Sequence, residues 1–334
     1  MRGIVRTIVR RIRPVRPRPV ILMYHRIAAP AVDPWGLAVR PDHFEEHVSI
    51  LGRTRRPLLM SDFVDRLDRG VLPDDAVAVT FDDGYVDNLC AAKPRLEAEG
   101  VPATIFVTTG ALGQRTEYWW DELARLILRR RAALDCQLMI AGECCRVAFE
   151  NAAPAESSLA WRAWEPPRSA RETSYLDVWR RLRVVAPAER ASVMSLLRTL
   201  LDAAPPDAQD LPMSPAQVTD AAAGGRVEIG AHTVTHPVLP SLDAGERRRE
   251  LLDSRRDCEQ LVSANVSGFA YPYGSLDAEC RSAVQECGFR WACSTESRAV
   301  PLRNYDRFAL PRVMVHDWAG AAFARALADP GGGS

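Results

Sequence analysis

Short apolar runs ending in polar residues recur along the chain at Val20–Tyr24, Val77–Phe81, Thr104–Val107, Val227–Ile229, Gly268–Tyr271 and Arg312–Val315. Each is too short for a helix and reads as a buried strand. Between them the apolar period changes to that of a helix. Phe44, Val48 and Leu51 share a face after Pro41, and Phe63, Val64 and Leu67 do so after Ser61. Further helices are expected from Ala91 to Glu99, from about Ala244 to Val262, and from Asp277 to Cys287, with Gly100 and Gly288 as stops. Strands alternating with helices of this length predict βα units and a parallel sheet or barrel, an α/β fold.

The rhythm breaks between about 115 and 225. That stretch carries Trp119, Trp120, Trp161, Trp164 and Trp179, and Pro-rich linkers such as Glu165-Pro166-Pro167 separate its helical patterns. Residues of about 115–212 are therefore expected to form a mostly helical insertion in a single domain spanning 19–330. Ser214 before Pro215 reads as an N-cap with proline in the first turn.

At 334 residues, 47% hydrophobic and 26% charged, the chain supports an ordinary core and is not disordered. No run of about 18 apolar residues marks a transmembrane helix. The zero net charge gives no sign of a nucleic-acid partner, but its distribution is uneven. Residues 1–32 hold eight arginines and no acid, and within 1–18 Ile4, Val5, Ile8, Val9 and Ile12 face away from Arg2, Arg6, Arg10 and Arg13. Residues 2–16 are thus expected to be a basic, amphipathic tail able to rest on an anionic membrane. The tail lacks the apolar stretch of a secretory signal. The eight cysteines form no CxxC pair and read as free thiols of a reducing compartment. The expected location is cytoplasmic, peripheral at the inner membrane.

Three polar clusters follow apolar strands: Thr80-Phe81-Asp82-Asp83-Gly84, His232-Thr233-Val234-Thr235-His236-Pro237, and Tyr271-Pro272-Tyr273-Gly274. In a parallel βα architecture the strand carboxyl ends meet on one face, where active sites lie. Adjacent aspartates repel unless a cation or a shared proton relieves them. Two histidines four residues apart, joined by a carboxylate, make a three-ligand metal site with an open position. His43 and His47 share that spacing but lie beside Phe44 and Val48 without a strand-end carboxylate, and read as structural.

The three clusters, in this order, resemble the motifs of the polysaccharide deacetylase family, the chitooligosaccharide-deacetylase-like carbohydrate esterases. The resemblance covers roughly 19–320 apart from the insertion. It implies a distorted (β/α)7 barrel binding one divalent metal, most often zinc, through Asp83, His232 and His236. It further implies Asp82 as general base and the Tyr273 backbone N–H as an oxyanion donor. The family's third motif carries an arginine that holds the base aspartate. Ala270 stands at that position here, so Arg307 and Arg312 are the candidates to replace it. The proton donor is either His25, after Ile21–Tyr24, or His316, after Val313–Val315. The Leu22-Met23-Tyr24-His25 segment resembles the circularly permuted, poly-N-acetylglucosamine-deacetylase-like branch and favours His25.

The expected function is metal-dependent removal of N-acetyl groups from N-acetylhexosamine-containing glycans or a lipid-linked oligosaccharide, in bacterial cell-surface or exopolysaccharide biosynthesis. The alternatives are a sugar O-acetyl esterase or small-amide hydrolase on the same metal site, and a catalytically silent carbohydrate-binding barrel.

Overall fold

The computed structural model describes residues 17–129, 133–151 and 160–330. The expected amphipathic segment 2–16 lies outside the described residues. In chain order the strands are β1 (Val20–Tyr24), β2 (Arg26–Ile27), β3 (Ala38–Val39), β4 (Arg56–Pro57), β5 (Ala76–Phe81), β6 (Ala103–Val107), β7 (Leu134–Ile140), β8 (Glu143–Phe149), β9 (Val227–Ala231), β10 (Gly268–Ala270), β11 (Trp291–Cys293) and β12 (Val313–Met314). One curled parallel sheet runs β11-β10-β9-β6-β5-β1-β12, with β4 also on β5, and helices cover it. The alternating pattern anticipated the parallel βα sheet, and the curled, barrel-like form is the one the family resemblance implies.

Every residue of β1 and β5 is buried, as expected of parallel strands covered on both faces. The first strand lies between β5 and the last, pairing Leu22 with Val313 and Val20 with Val77. One segment reaches both ends of the curled sheet. Leu310 exchanges backbone hydrogen bonds with Ala292 and Ser294 beside β11, and Val315 donates to Met23 of β1. The sheet thus narrows to a mouth ringed by strand C-termini.

The covering helices follow their sequence signals. Helix Pro41–Thr54 buries Phe44, Val48 and Leu51. Helix Ala244–Val262 opens with a reciprocal capping box between Asp243 and Glu246, and helix Pro215–Ala222 with one between Ser214 and Gln217. Helix Ala278–Glu286 is capped by Asp277 and stops before Gly288. β11 carries no alternation or length that marks it in the sequence. It becomes a strand by pairing with β10.

The segment between β6 and β9 folds around its own apolar cluster, including Trp120, Leu123, Ile127, Trp161, Tyr175, Trp179 and Leu197. It contains helices Trp119–Ala124, Ala170–Leu182 and Pro187–Leu200. It also contains an antiparallel hairpin, β7–β8, which the expectation of a mostly helical insertion omitted. The hairpin turns at Ala141-Gly142, both with positive φ, 56° and 75°. Alternate residues Leu134, Leu138, Ile140, Cys145, Val147 and Phe149 point into the cluster.

Candidate metal centre and active site

Strand ends bring the polar clusters together at the barrel mouth. Asp82 and Asp83 follow β5, His232 follows β9, and Tyr271-Pro272-Tyr273 follows β10. The Asp82 N–H donates to the Tyr24 carbonyl and the His232 N–H to the Val107 carbonyl, both at 3.0 Å, so ladder bonds extend into the site. Beyond them the backbone turns sharply. Asp83, Thr233, His236 and Tyr273 are four of the eight non-glycine residues with positive φ among the described residues. Such conformations cost on the order of 1–3 kcal/mol each and persist only where their surroundings impose them. Here the Thr233 hydroxyl accepts from the His236 N–H, and Glu250 accepts from the N–H groups of Val234 and Thr235. The Tyr118 hydroxyl, from the insertion, donates to the Asp83 carbonyl at 2.6 Å.

Asp83 Oδ1 lies 3.5 Å from His232 Nε2 and 3.3 Å from His236 Nε2, and all three side chains are buried. His232 Nδ1 is 2.7 Å from the Ala270 carbonyl, which can only accept. The proton therefore sits on Nδ1 and the Nε2 lone pair faces Asp83. Burial lowers the pKa of both imidazoles, that of His236 to about 3 with Arg190 adding to the effect. Both are neutral at pH 7, the state in which histidine is a ligand. Asp83 Oδ1 is buried and has no hydrogen-bond partner. A buried carboxylate oxygen facing the His232 lone pair and the second imidazole nitrogen, with no hydrogen-bond donor assigned to it, is costly by itself and is satisfied by a cation. The donor set, one carboxylate and two imidazoles, fits a divalent metal with a position left open.

Asp82 points to a different partner. Arg312, wholly buried, donates from Nη1 to Asp82 Oδ1 at 2.6 Å and from Nη2 to Oδ2 at 2.7 Å. Its Nε donates to the Ser294 carbonyl, and Nη1 also reaches Thr80 Oγ1. Burial alone would raise the Asp82 pKa, but the Arg312 guanidinium holds it well below the usual carboxylate range. Of the two arginines considered for the place left by Ala270, Arg312 meets the aspartate. Arg307 instead pairs with Asp68 on the surface.

His25 Nε2 lies 3.9 Å from Asp82 Oδ2, on the side of Asp82 toward β1. His316 has different surroundings, with its ring 5.8 Å from that of Trp164 and 5.4 Å from that of Trp318. The Tyr273 ring packs 4.5 Å from that of His236, and its hydroxyl is buried without a partner. His43 pairs with Asp317. His47 sits between Tyr24 Oη and the Trp318 carbonyl, stacked on Phe323, as a structural histidine would.

Sequence reasoning missed the wall behind His236. Trp120 packs 4.6 Å from its ring and donates from Nε1 to Tyr85 Oη, which in turn donates to Asp121 at 2.6 Å. Burial raises the Asp121 pKa to about 7 despite Arg26 nearby. An acid in the first turn of a helix reads as a response to the helix dipole, so only the tertiary contact distinguishes it.

These features define a (β/α)-barrel protein with a buried Asp-His-His cluster able to hold a metal beside an arginine-held carboxylate. The polysaccharide deacetylase profile matches residues 69–130 and 199–292, on either side of the greater part of the insertion, and the chain is similar to that family there. YxkH of Bacillus subtilis (strain 168), a polysaccharide deacetylase by name, is 28% identical over 98 residues, 29% of this chain. The matched stretch spans only 35% of that relative's length. Among solved structures, the Streptococcus pyogenes deacetylase PplD, in complex with acetate, superposes with a TM-score of 0.57 at 15% identity, covering 94% of this chain and 99% of that one. IcaB from Ammonifex degensii gives 0.57 at 19% identity, covering 93% and 96%. A de-N-acetylase from Aggregatibacter actinomycetemcomitans gives 0.54 at 14% identity, covering 93% and 99%. At these identities the similarity is one of fold.

Proposed function

We propose that the chain is a metal-dependent deacetylase that hydrolyses N-acetyl groups of N-acetylhexosamine-containing glycans, acting in the biosynthesis of a bacterial surface glycan. The observation that carries this reading is the division of labour between adjacent carboxylates. Asp83 Oδ1 is orphaned against two imidazole nitrogens, while both oxygens of Asp82 are held by Arg312. A purely carbohydrate-binding barrel has no use for that pairing. The names of relatives, among them a de-N-acetylase and a deacetylase solved with acetate, support the same class of reaction.

Asp83, His232 and His236 would hold one divalent cation, zinc foremost, whose chemistry is Lewis-acid polarisation of a water and of the acetamide carbonyl. Asp82, kept anionic by Arg312, accepts the proton of the attacking water. As the C–O bond forms, the Tyr273 backbone N–H donates to the developing oxyanion. His25, 3.9 Å from Asp82, delivers a proton to the nitrogen as the C–N bond breaks, because an unprotonated amide anion is a very poor leaving group. The products are acetate and a free amine. His316, turned toward tryptophans, takes no part in that transfer.

No helix among the described residues is long and apolar enough to cross a membrane. The amphipathic pattern of residues 2–16 supports a peripheral contact with anionic lipid, which would bring the enzyme to a lipid-linked substrate. The test is acetate release by the zinc-loaded protein from matched N-acetylated and O-acetylated glucosamine oligosaccharides. Release from the N-acetyl series is expected. Release from the O-acetyl series alone would make the protein an esterase, and release from neither would remove the hydrolase reading.

A further inference from the structure

Trp164 alone among the eight tryptophans is exposed, at 58%, although it lies between residues of a well-anchored loop. Its neighbour Trp161 is buried at 1% exposure, packs against Tyr175 and donates from Nε1 to the Pro166 carbonyl. The Ala163 N–H donates to the Pro34 carbonyl at 2.7 Å, and the Glu165 N–H closes a turn onto the Arg162 carbonyl. The loop thus holds an indole in solvent, where a large aromatic ring forgoes its usual burial.

A single exposed apolar residue is ordinary, so its location decides. Strands β1 and β12 pair Met23 with Met314, and the Val315 N–H donates to the Met23 carbonyl. His316 therefore leaves the sheet beside His25, the group facing Asp82. Trp164 lies over His316, with ring centroids 5.8 Å apart, and Trp318 flanks the same imidazole at 5.4 Å. Gly36, at φ 63°, is the floor: a Cβ there would stand 3.1 Å from Trp164 Cη2 and 3.2 Å from His316 Nδ1. The rim of this platform is polar, since Asp33 and Arg162 both act electrostatically on His316.

We infer that Trp164, seated on Gly36 and His316, is a saccharide-stacking subsite that receives a pyranose ring of the glycan next to the unit being deacetylated. A pyranose presents an apolar C–H face to the indole and hydroxyls to the polar rim. A lipid surface would want a broader apolar patch than one indole framed by Asp33, Arg162 and Glu165. The subsite rests on the deacetylase reading for its place beside the reacting unit. It assigns the insertion, which supplies Trp164, a role in selecting chain length.

The test compares zinc-loaded wild type, Trp164→Ala and Trp164→Phe, using calorimetric binding of an N-acetylglucosamine tetrasaccharide alongside acetate release from that tetrasaccharide and from the monosaccharide. Trp164→Ala should weaken tetrasaccharide binding about fivefold or more and raise KM correspondingly, as loss of one aromatic stack implies. Its kcat on the tetrasaccharide, and its turnover of the monosaccharide, should stay unchanged. Trp164→Phe should recover most of the affinity. Equal affinity in wild type and Trp164→Ala, no tetrasaccharide binding by wild type, or equal losses on both substrates would overturn the inference. So would a Trp164-dependent affinity for anionic vesicles in place of the glycan. Binding through Trp164 without any acetate release would instead sink the deacetylase reading and leave the subsite standing.

Discussion

Replacing Arg312 with methionine removes a buried cation while keeping much of its volume. The variant loses both hydrogen bonds to Asp82, together with those to the Ser294 carbonyl and Thr80 Oγ1. The side chains of the pair are 0% and 4% exposed, so water cannot replace the guanidinium. Removing one partner of such a pair costs about 3–5 kcal/mol because the other charge is left buried and uncompensated. The sign of the pH dependence follows from Asp82, whose folded pKa is depressed. The stability it contributes is present above the unfolded carboxylate value of about 4 and is lost as pH falls through the lower folded value. In Arg312→Met burial alone acts, and the Asp82 pKa rises. The variant therefore regains ground relative to wild type on acidification, as the lone carboxylate takes up a proton. Urea unfolding followed by tryptophan fluorescence, at pH 7 and near pH 4 in matched buffers, measures the difference. Asp82→Asn in the Arg312→Met background should recover part of the loss, with an interaction energy of about 1–3 kcal/mol. A pH 7 loss below about 1 kcal/mol, or a gap that does not narrow toward acid, would refute the reasoning.

Asp82→Asn is expected to retain metal but lose activity, because a carboxamide cannot accept the water's proton, whereas Asp83→Asn should weaken metal binding; metal analysis beside acetate release separates them. His25→Ala should lose most turnover of an N-acetyl substrate while keeping metal, and His316→Ala should keep kcat; the reverse result would move the proton donor to the end of the chain. Deleting residues 2–16 should abolish co-sedimentation with anionic vesicles and spare turnover of a soluble substrate, and binding insensitive to salt would contradict an electrostatic contact.

The parallel βα architecture was legible because its strands are short apolar runs alternating with helices, several of them stopped by glycine, while its barrel form followed from the family resemblance. The Asp82-Asp83 and His232…His236 clusters were legible because they sit where such runs end. What the sequence concealed is tertiary. Arg312 precedes a two-residue strand, and nothing local separates it from Arg307; only the crossing of segment 310–315 from β11 to β1 aims it at Asp82. Hairpin β7–β8 escaped because it turns on Ala141-Gly142 rather than a strong turn pair, and because Cys136 and Ala148 blur its alternation. The wall of Tyr85, Trp120 and Asp121 draws on two separate segments, and its hydrogen bonds have no sequence period to betray them.

The central claim is that Asp83, His232 and His236 hold the cation on which deacetylation depends. The most direct measurement is the metal content of purified wild type and His232→Ala, after equilibration with limiting zinc, with acetate release recorded on the same samples. The account predicts one zinc per wild-type chain, and a variant that has lost both the metal and the activity while retaining wild-type circular dichroism. Stoichiometric zinc in folded His232→Ala would contradict it.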